Sequence, residues 1–110
     1  MSSTSGREAI VLEVRRRAAT EPLREDDLRA RLAADGFTSF VWEDAPGADY
    51  PPHSHDEDES IWIVGGEISF GIDGDEHLLR PGDRLMLPAG TVHTAHAGPA
   101  GARYLIGERS

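Results

Sequence analysis

The amino-acid sequence predicts an all-β domain, a barrel or sandwich with a short helix ahead of it, on three observations. From Phe37 onward, short apolar pieces alternate with Gly, Pro and Asp at close intervals, the rhythm of antiparallel strands joined by tight turns. The chain has 110 residues, 38% of them apolar, enough for one modest core and too few for two domains. No apolar run approaches the ~20 residues of a membrane helix, and the N-terminal MSSTSGREA lacks the apolar stretch of a secretory signal, so the expected compartment is the cytoplasm.

Taken in order, residues 1–8 are Ser/Thr/Gly-rich and expected to be flexible, residues 9–36 to form a strand and helix extension, and residues 37–110 to form the barrel. The run Ala9–Val14 suits a strand or the start of a helix, because a short apolar run does not settle its own period; strand is the preferred reading. Within Pro22–Asp35 the signs point to a helix: a Pro suited to a first turn, acidic Glu25, Asp26 and Asp27 near the start, Leu28 and Leu32 four apart, and Gly36 as a stop. It is expected to pack across one end of the barrel. Strands are predicted near Phe37–Trp42, His53–His55, Glu59–Val64, Glu67–Ile72, Glu76–Leu79, Arg84–Leu87, Val92–Ala97 and Arg103–Ile106. Asp73-Gly74 is a two-residue hairpin signal, and Arg80-Pro-Gly-Asp83 and Pro88-Ala-Gly90 are further turns.

Charge and cysteine usage narrow the chemistry. With 11 basic and 20 acidic residues the formal charge is −9, a field that repels phosphate backbones and anionic headgroups, so neither nucleic acid nor a membrane surface is an expected partner. There is no cysteine, which excludes disulfides, thiolate zinc sites, thiol nucleophiles and cysteine-ligated clusters. Any metal must be held by imidazole and carboxylate.

Those two ligand types are grouped. In a strand, side chains alternate faces, so the imidazoles of His53 and His55 point the same way. Glu59 follows four residues on, after an acidic turn, and enters the next strand with its carboxylate available to the same point. Two histidines and a carboxylate on adjacent strands make a divalent-metal face. The fourth ligand must come from elsewhere, and antiparallel folding can bring His93, just past the Pro88-Ala-Gly90 turn, opposite the first three.

The surrounding spacing resembles two motifs of the cupin superfamily. Gly47–Gly66 follows Gly-x5-His-x-His-x3-Glu-x6-Gly, and Gly82–His93 follows Gly-x5-Pro-x-Gly-x2-His, with Ala97 where the motif ends in Asn. The resemblance, to small single-domain RmlC-like cupins, implies a double-stranded β-helix, or jelly roll, with one divalent transition metal ion (Fe, Mn, Ni, Zn or Cu) in the barrel mouth. Carried over by position, its ligands are His53, His55, Glu59 and His93. The departure at Ala97 removes no ligand.

The neighbouring residues sort by parity. His96 lies three residues after His93 and faces outward, and His77 falls on an exposed hairpin, so neither is expected at the metal. The acidic run Asp56, Glu57 and Asp58 reads as a solvated turn. Ile61 and Ile63 share the face of Glu59, and Ala95 that of His93. Phe40, Trp42, Tyr50, Ile68, Phe70 and Met86 are candidate pocket walls, although plain core is their commoner fate, while Trp62 has the opposite parity.

The expected function is a mononuclear non-haem metalloenzyme of dioxygenase, isomerase or decarboxylase type, acting on a small molecule that chelates through oxygen. Glu59 is the candidate base. The alternative is a non-catalytic small-molecule-binding or sensing barrel. A sugar-nucleotide epimerase ranks last, since no basic cluster for a diphosphate is visible. A homodimer is expected, with Ile10–Val14 suited to strand exchange.

Overall fold

The computed structural model describes residues 10–18 and 23–110. Among them lie strand β1 (Glu13–Arg15), helix α1 (Glu25–Ala34) and strands β2 (Thr38–Asp44), β3 (Asp49–His53), β4 (Asp58–Ile72), β5 (Asp75–Leu79), β6 (Arg84–Leu87) and β7 (His93–Arg109). The strands run in the order β1-β6-β4-β7-β2, with β3 added to β7 and β5 to β4, and every pairing is antiparallel. This is the all-β jelly-roll barrel that the sequence predicts. No helix of the described residues is long and apolar enough to cross a membrane.

Two long strands organise the barrel. The expected breaks at Gly65–Gly66 and Gly98–Ala102 are bends inside β4 and β7, not joins between separate strands. The β4/β7 register slips between Ile63 and Gly65 and again between Gly66 and Ile68, and such slips let a strand curl round a barrel. Gly66 sits at φ +65°, where a Cβ would stand 2.1 Å from the Gly101 carbonyl oxygen. Only glycine fits that approach.

The residues around these bends form two apolar layers. Inward-pointing Ile61, Ile63, Ile68, Phe70, Leu85 and Tyr104 pack in the barrel. Their outward neighbours Trp62, Met86 and Leu105 pack with Leu28 and Leu32 of α1 and with Phe37. The helix therefore covers the outer face of the sheet, against β2 and β4, and does not cross a barrel end. Alternation explains this, because one side of each strand is filled by core and the other needs its own cover.

The helix stops as the sequence predicts. Gly36, at φ +90°, donates to the Ala33 carbonyl, Phe37 donates to the Leu32 carbonyl at 2.9 Å, and Phe37 and Leu32 pack together, the hydrogen-bonded and apolar signature of a glycine C-terminal cap. Its start is later than expected, at Glu25; Pro22 lies outside the described residues, as do residues 1–9. The N-terminal strand is also displaced, covering Glu13–Arg15 and pairing with Arg84–Met86 on β6.

Candidate metal centre

Three histidines converge at one barrel mouth, each delivered by a different piece of chain. His53 ends β3 and His93 begins β7, and the two are direct partners in the β3/β7 ladder. His55 lies two residues beyond the end of β3, so strand alternation is not what aims it. Its carbonyl instead accepts the Gly90 N–H at 2.8 Å, and Ala89 N–H donates to Asp58 at 2.9 Å. The Pro88-Ala-Gly90 turn thus clasps the loop that carries His55.

Ring centroids are 4.9 Å apart for His53 and His55, 4.3 Å for His53 and His93, and 5.2 Å for His55 and His93. One nitrogen from each lies within 4.8 Å of the others, a group that can hold a metal ion. The nitrogens are also in the right chemical form. A backbone carbonyl can only accept, so Nδ1 of His53 donates to Pro51 O at 2.7 Å and Nδ1 of His93 to Thr91 O at 2.9 Å, which leaves each Nε2 with its lone pair free. Burial, then neighbouring rings, holds His93 and His55 below the ordinary imidazole range, so both are neutral near pH 7.

Glu59, the first of the inward residues of β4, stands beside this group, with Oε1 3.7 Å from His55 Nε2. Burial, and then the Glu108 carboxyl that it meets directly across the β4/β7 ladder, push its carboxyl up to about 7. A buried carboxyl next to imidazoles and poised near neutrality can coordinate a cation or exchange a proton.

A cavity of about 290 Å³ opens from the histidines. Phe40, Trp42, Tyr50, Phe70, Ile61 and Ala95 line it where parity puts them. Two candidate walls do not: Ile68 is fully buried in the barrel core, and Met86 faces the helix beside Trp62. The outward Met86 follows from its place in β6, where it alternates with inward Leu85 and Leu87. His96 faces outward and pairs with Asp49 at 3.1 Å, and His77 lies on β5 opposite Phe70. Asp58 is more than a solvated charge, since it also meets Arg109 at 3.5 Å.

Three lining residues escaped the sequence reading: Tyr104, Ile106 and Glu108. They share one face of β7, and the signal for them was the same alternation, carried two residues past Ile106. Below the aromatic wall, Asp44 accepts from Trp42 Nε1 at 2.9 Å, from Tyr104 Oη at 2.6 Å and from Tyr50 Oη. Burial, and then that carboxylate, raises the Tyr104 phenol, so Tyr104 stays a hydrogen-bond donor.

Comparison with known proteins agrees with the fold. The chain is 34% identical over 65 residues to a quercetin 2,3-dioxygenase of Bacillus subtilis, covering 58% of this chain and 19% of that one. It is 35% identical over 67 residues to the dimethylsulfoniopropionate lyase DddW of Ruegeria pomeroyi, covering 61% and 44%. The chain thus spans less than half the length of either curated relative. An RmlC-like cupin structure from Shewanella frigidimarina superposes with a TM-score of 0.59 at 23% identity, covering 67% of each chain. The family model described as the cupin domain matches residues 40–106, the greater part of the barrel, and the chain therefore belongs to the cupin domain family.

Proposed function

We propose that His53, His55 and His93, with Glu59 as fourth ligand, hold one divalent transition metal ion, and that the chain is a mononuclear metalloenzyme for a small molecule that chelates through oxygen. The observation that carries this reading is the convergence of three imidazoles, two of them, His53 and His93, oriented by backbone carbonyls at Nδ1. Iron, manganese, nickel, zinc and copper all accept such nitrogen and oxygen donors. When bound, the ion supplies Lewis acidity or oxygen activation. Glu59 holds the ion or takes a proton at its carboxylate, and the apolar lining of Ile61, Phe70 and Ala95 restricts water. That one relative is a dioxygenase and another a lyase supports both reaction types within this reading.

Elemental analysis of the purified protein and of His55→Ala and His93→Ala tests the ligand set. Metal content is expected to fall about tenfold or more in each variant, with a lower melting temperature; unchanged occupancy in both variants rejects it. A substrate screen with oxygen-uptake and product readouts under each metal separates the enzyme from a binding module, since tight binding without turnover under every metal favours the module. The same reading has the chain act as a cytoplasmic homodimer, and a monomer mass by light scattering at micromolar concentration would remove the dimer.

A further inference from the structure

The cavity at the histidines gathers most of the chain's aromatic side chains, and that concentration, which rests its meaning on the metal-binding reading above, bears on what enters. Of all the Phe, Tyr and Trp residues in the sequence, only Phe37 and Trp62 belong to the helix layer. The rest, Phe40, Trp42, Tyr50, Phe70 and Tyr104, line this one cavity. Two of them are open to solvent, Phe40 at 39% and Trp42 at 44%, so filling the core is not their use. Trp42 is nevertheless fixed, because its indole N–H donates to Asp44 at 2.9 Å and to Tyr50 Oη at 3.1 Å. Aromatic surface held in place and left uncovered is surface for a ligand.

Backbone pairing sets the depth of each ring. Phe40 pairs with Ile106, which pairs with Ile61, two residues on from Glu59. Trp42 pairs with Tyr104, which pairs with Ile63, four residues on. At about 3.3 Å per residue, the Phe40 level lies ~7 Å and the Trp42 level ~13 Å along β4 from Glu59. Tyr50 and Phe70 flank the histidines themselves, with ring centroids 6.4 Å from those of His53 and His93 respectively. A group attached to a chelating head at the histidines therefore meets aromatic rings all the way to the far end of the cavity. Aromatic rings attract one another through their quadrupoles, beyond the gain from burial, whereas a saturated ring gains burial alone. We infer that the cavity takes molecules that carry a flat aromatic ring on the oxygen-chelating head, in preference to saturated or short aliphatic ones, with Phe40 and Trp42 as the specificity-determining residues.

Calorimetry on the zinc-loaded full chain with three hydroxamic acids reads this out, because the chelating head is constant and only an uncharged tail varies: benzohydroxamic (flat ring), cyclohexanecarbohydroxamic (saturated ring) and acetohydroxamic acid (methyl). The flat ring is expected to bind about fivefold more tightly than the saturated one, and the methyl most weakly. A wall acting through burial alone would reverse the order of the two rings, since the saturated ring is the more apolar. Phe40→Leu and Trp42→Leu keep apolar bulk, so each should shrink the flat-ring preference while zinc content stays unchanged. Zinc lost on dialysis overturns the metal reading and this inference with it. Zinc retained without a flat-ring preference, whether both rings bind alike or neither binds, overturns the inference alone, as does a preference that survives both Leu variants.

Discussion

At the scale of single residues, Asp83 shows how a polar group can be buried in a barrel of this size. It is 7% exposed and accepts from Arg80 N–H at 3.0 Å, Arg17 N–H at 3.0 Å and Arg16 Nη1 at 3.0 Å. Burial alone would raise its carboxyl, but the two backbone donors and the Arg16 guanidinium outweigh that and hold it below the usual carboxylate range. Below about pH 4 the unfolded chain then binds more protons than the folded one, so the stability from Asp83 is present above that pH and is lost as pH falls through the lowered value. Asp83→Asn should cost about 1–2 kcal/mol at pH 7 in urea titrations, and the gap to wild type should narrow towards pH 3; a constant gap would mean that charge is not what the site uses. Among single residues, His53, His55 and His93 were legible because their spacing falls within a dense pattern of glycines and a proline. Glu108 was not, because the apolar run ends at Ile106 and an acidic residue near a strand end looks solvated until its cross-strand partner, Glu59, is known.

At the scale of elements, the sequence showed where strands lie better than where they join. Arg84–Leu87 matches β6 as read, and the Asp73-Gly74 hairpin is present, with both residues at positive φ. Local chemistry decides such segments. The joins at Gly65–Gly66 and Gly98–Ala102 were misread because glycines mark both turns and bends, and only the approach of Gly66 to Gly101 across the sheet distinguishes them. Gly66→Ala is accordingly expected to destabilise by roughly 2–3 kcal/mol or more, combining strained backbone with a backbone clash. Thermal melts would show it, and a variant within 0.5 °C of wild type would refute the bend's dependence on glycine. The helix position was unreadable for a related reason: Leu28 and Leu32 identify an apolar face, but not the sheet face that it meets.

At the scale of the whole molecule, the two apolar layers separate support from chemistry. The helix layer holds Leu32, fully buried, against the outside of the same strands whose inner faces line the cavity. Leu32→Ala should cost about 2–5 kcal/mol while metal content in the folded protein stays unchanged; loss of metal without loss of fold would mean that the layers are coupled. The fold class was legible because its turn rhythm is a property of the entire chain. The ladder between His53 and His93 has one more consequence, and it concerns order in time. These partners stand forty residues apart in the chain, and β2 meets the far end of β7 over still greater separations, so loop-closure entropy must be overcome before either pairing forms. A nascent chain has His53 and His55 at hand early but gains His93 only when β7 is laid down. Under the proposed metal-binding function, capture of the ion by all the ligands is therefore a late event, one that slows unfolding of the finished barrel rather than guiding its assembly.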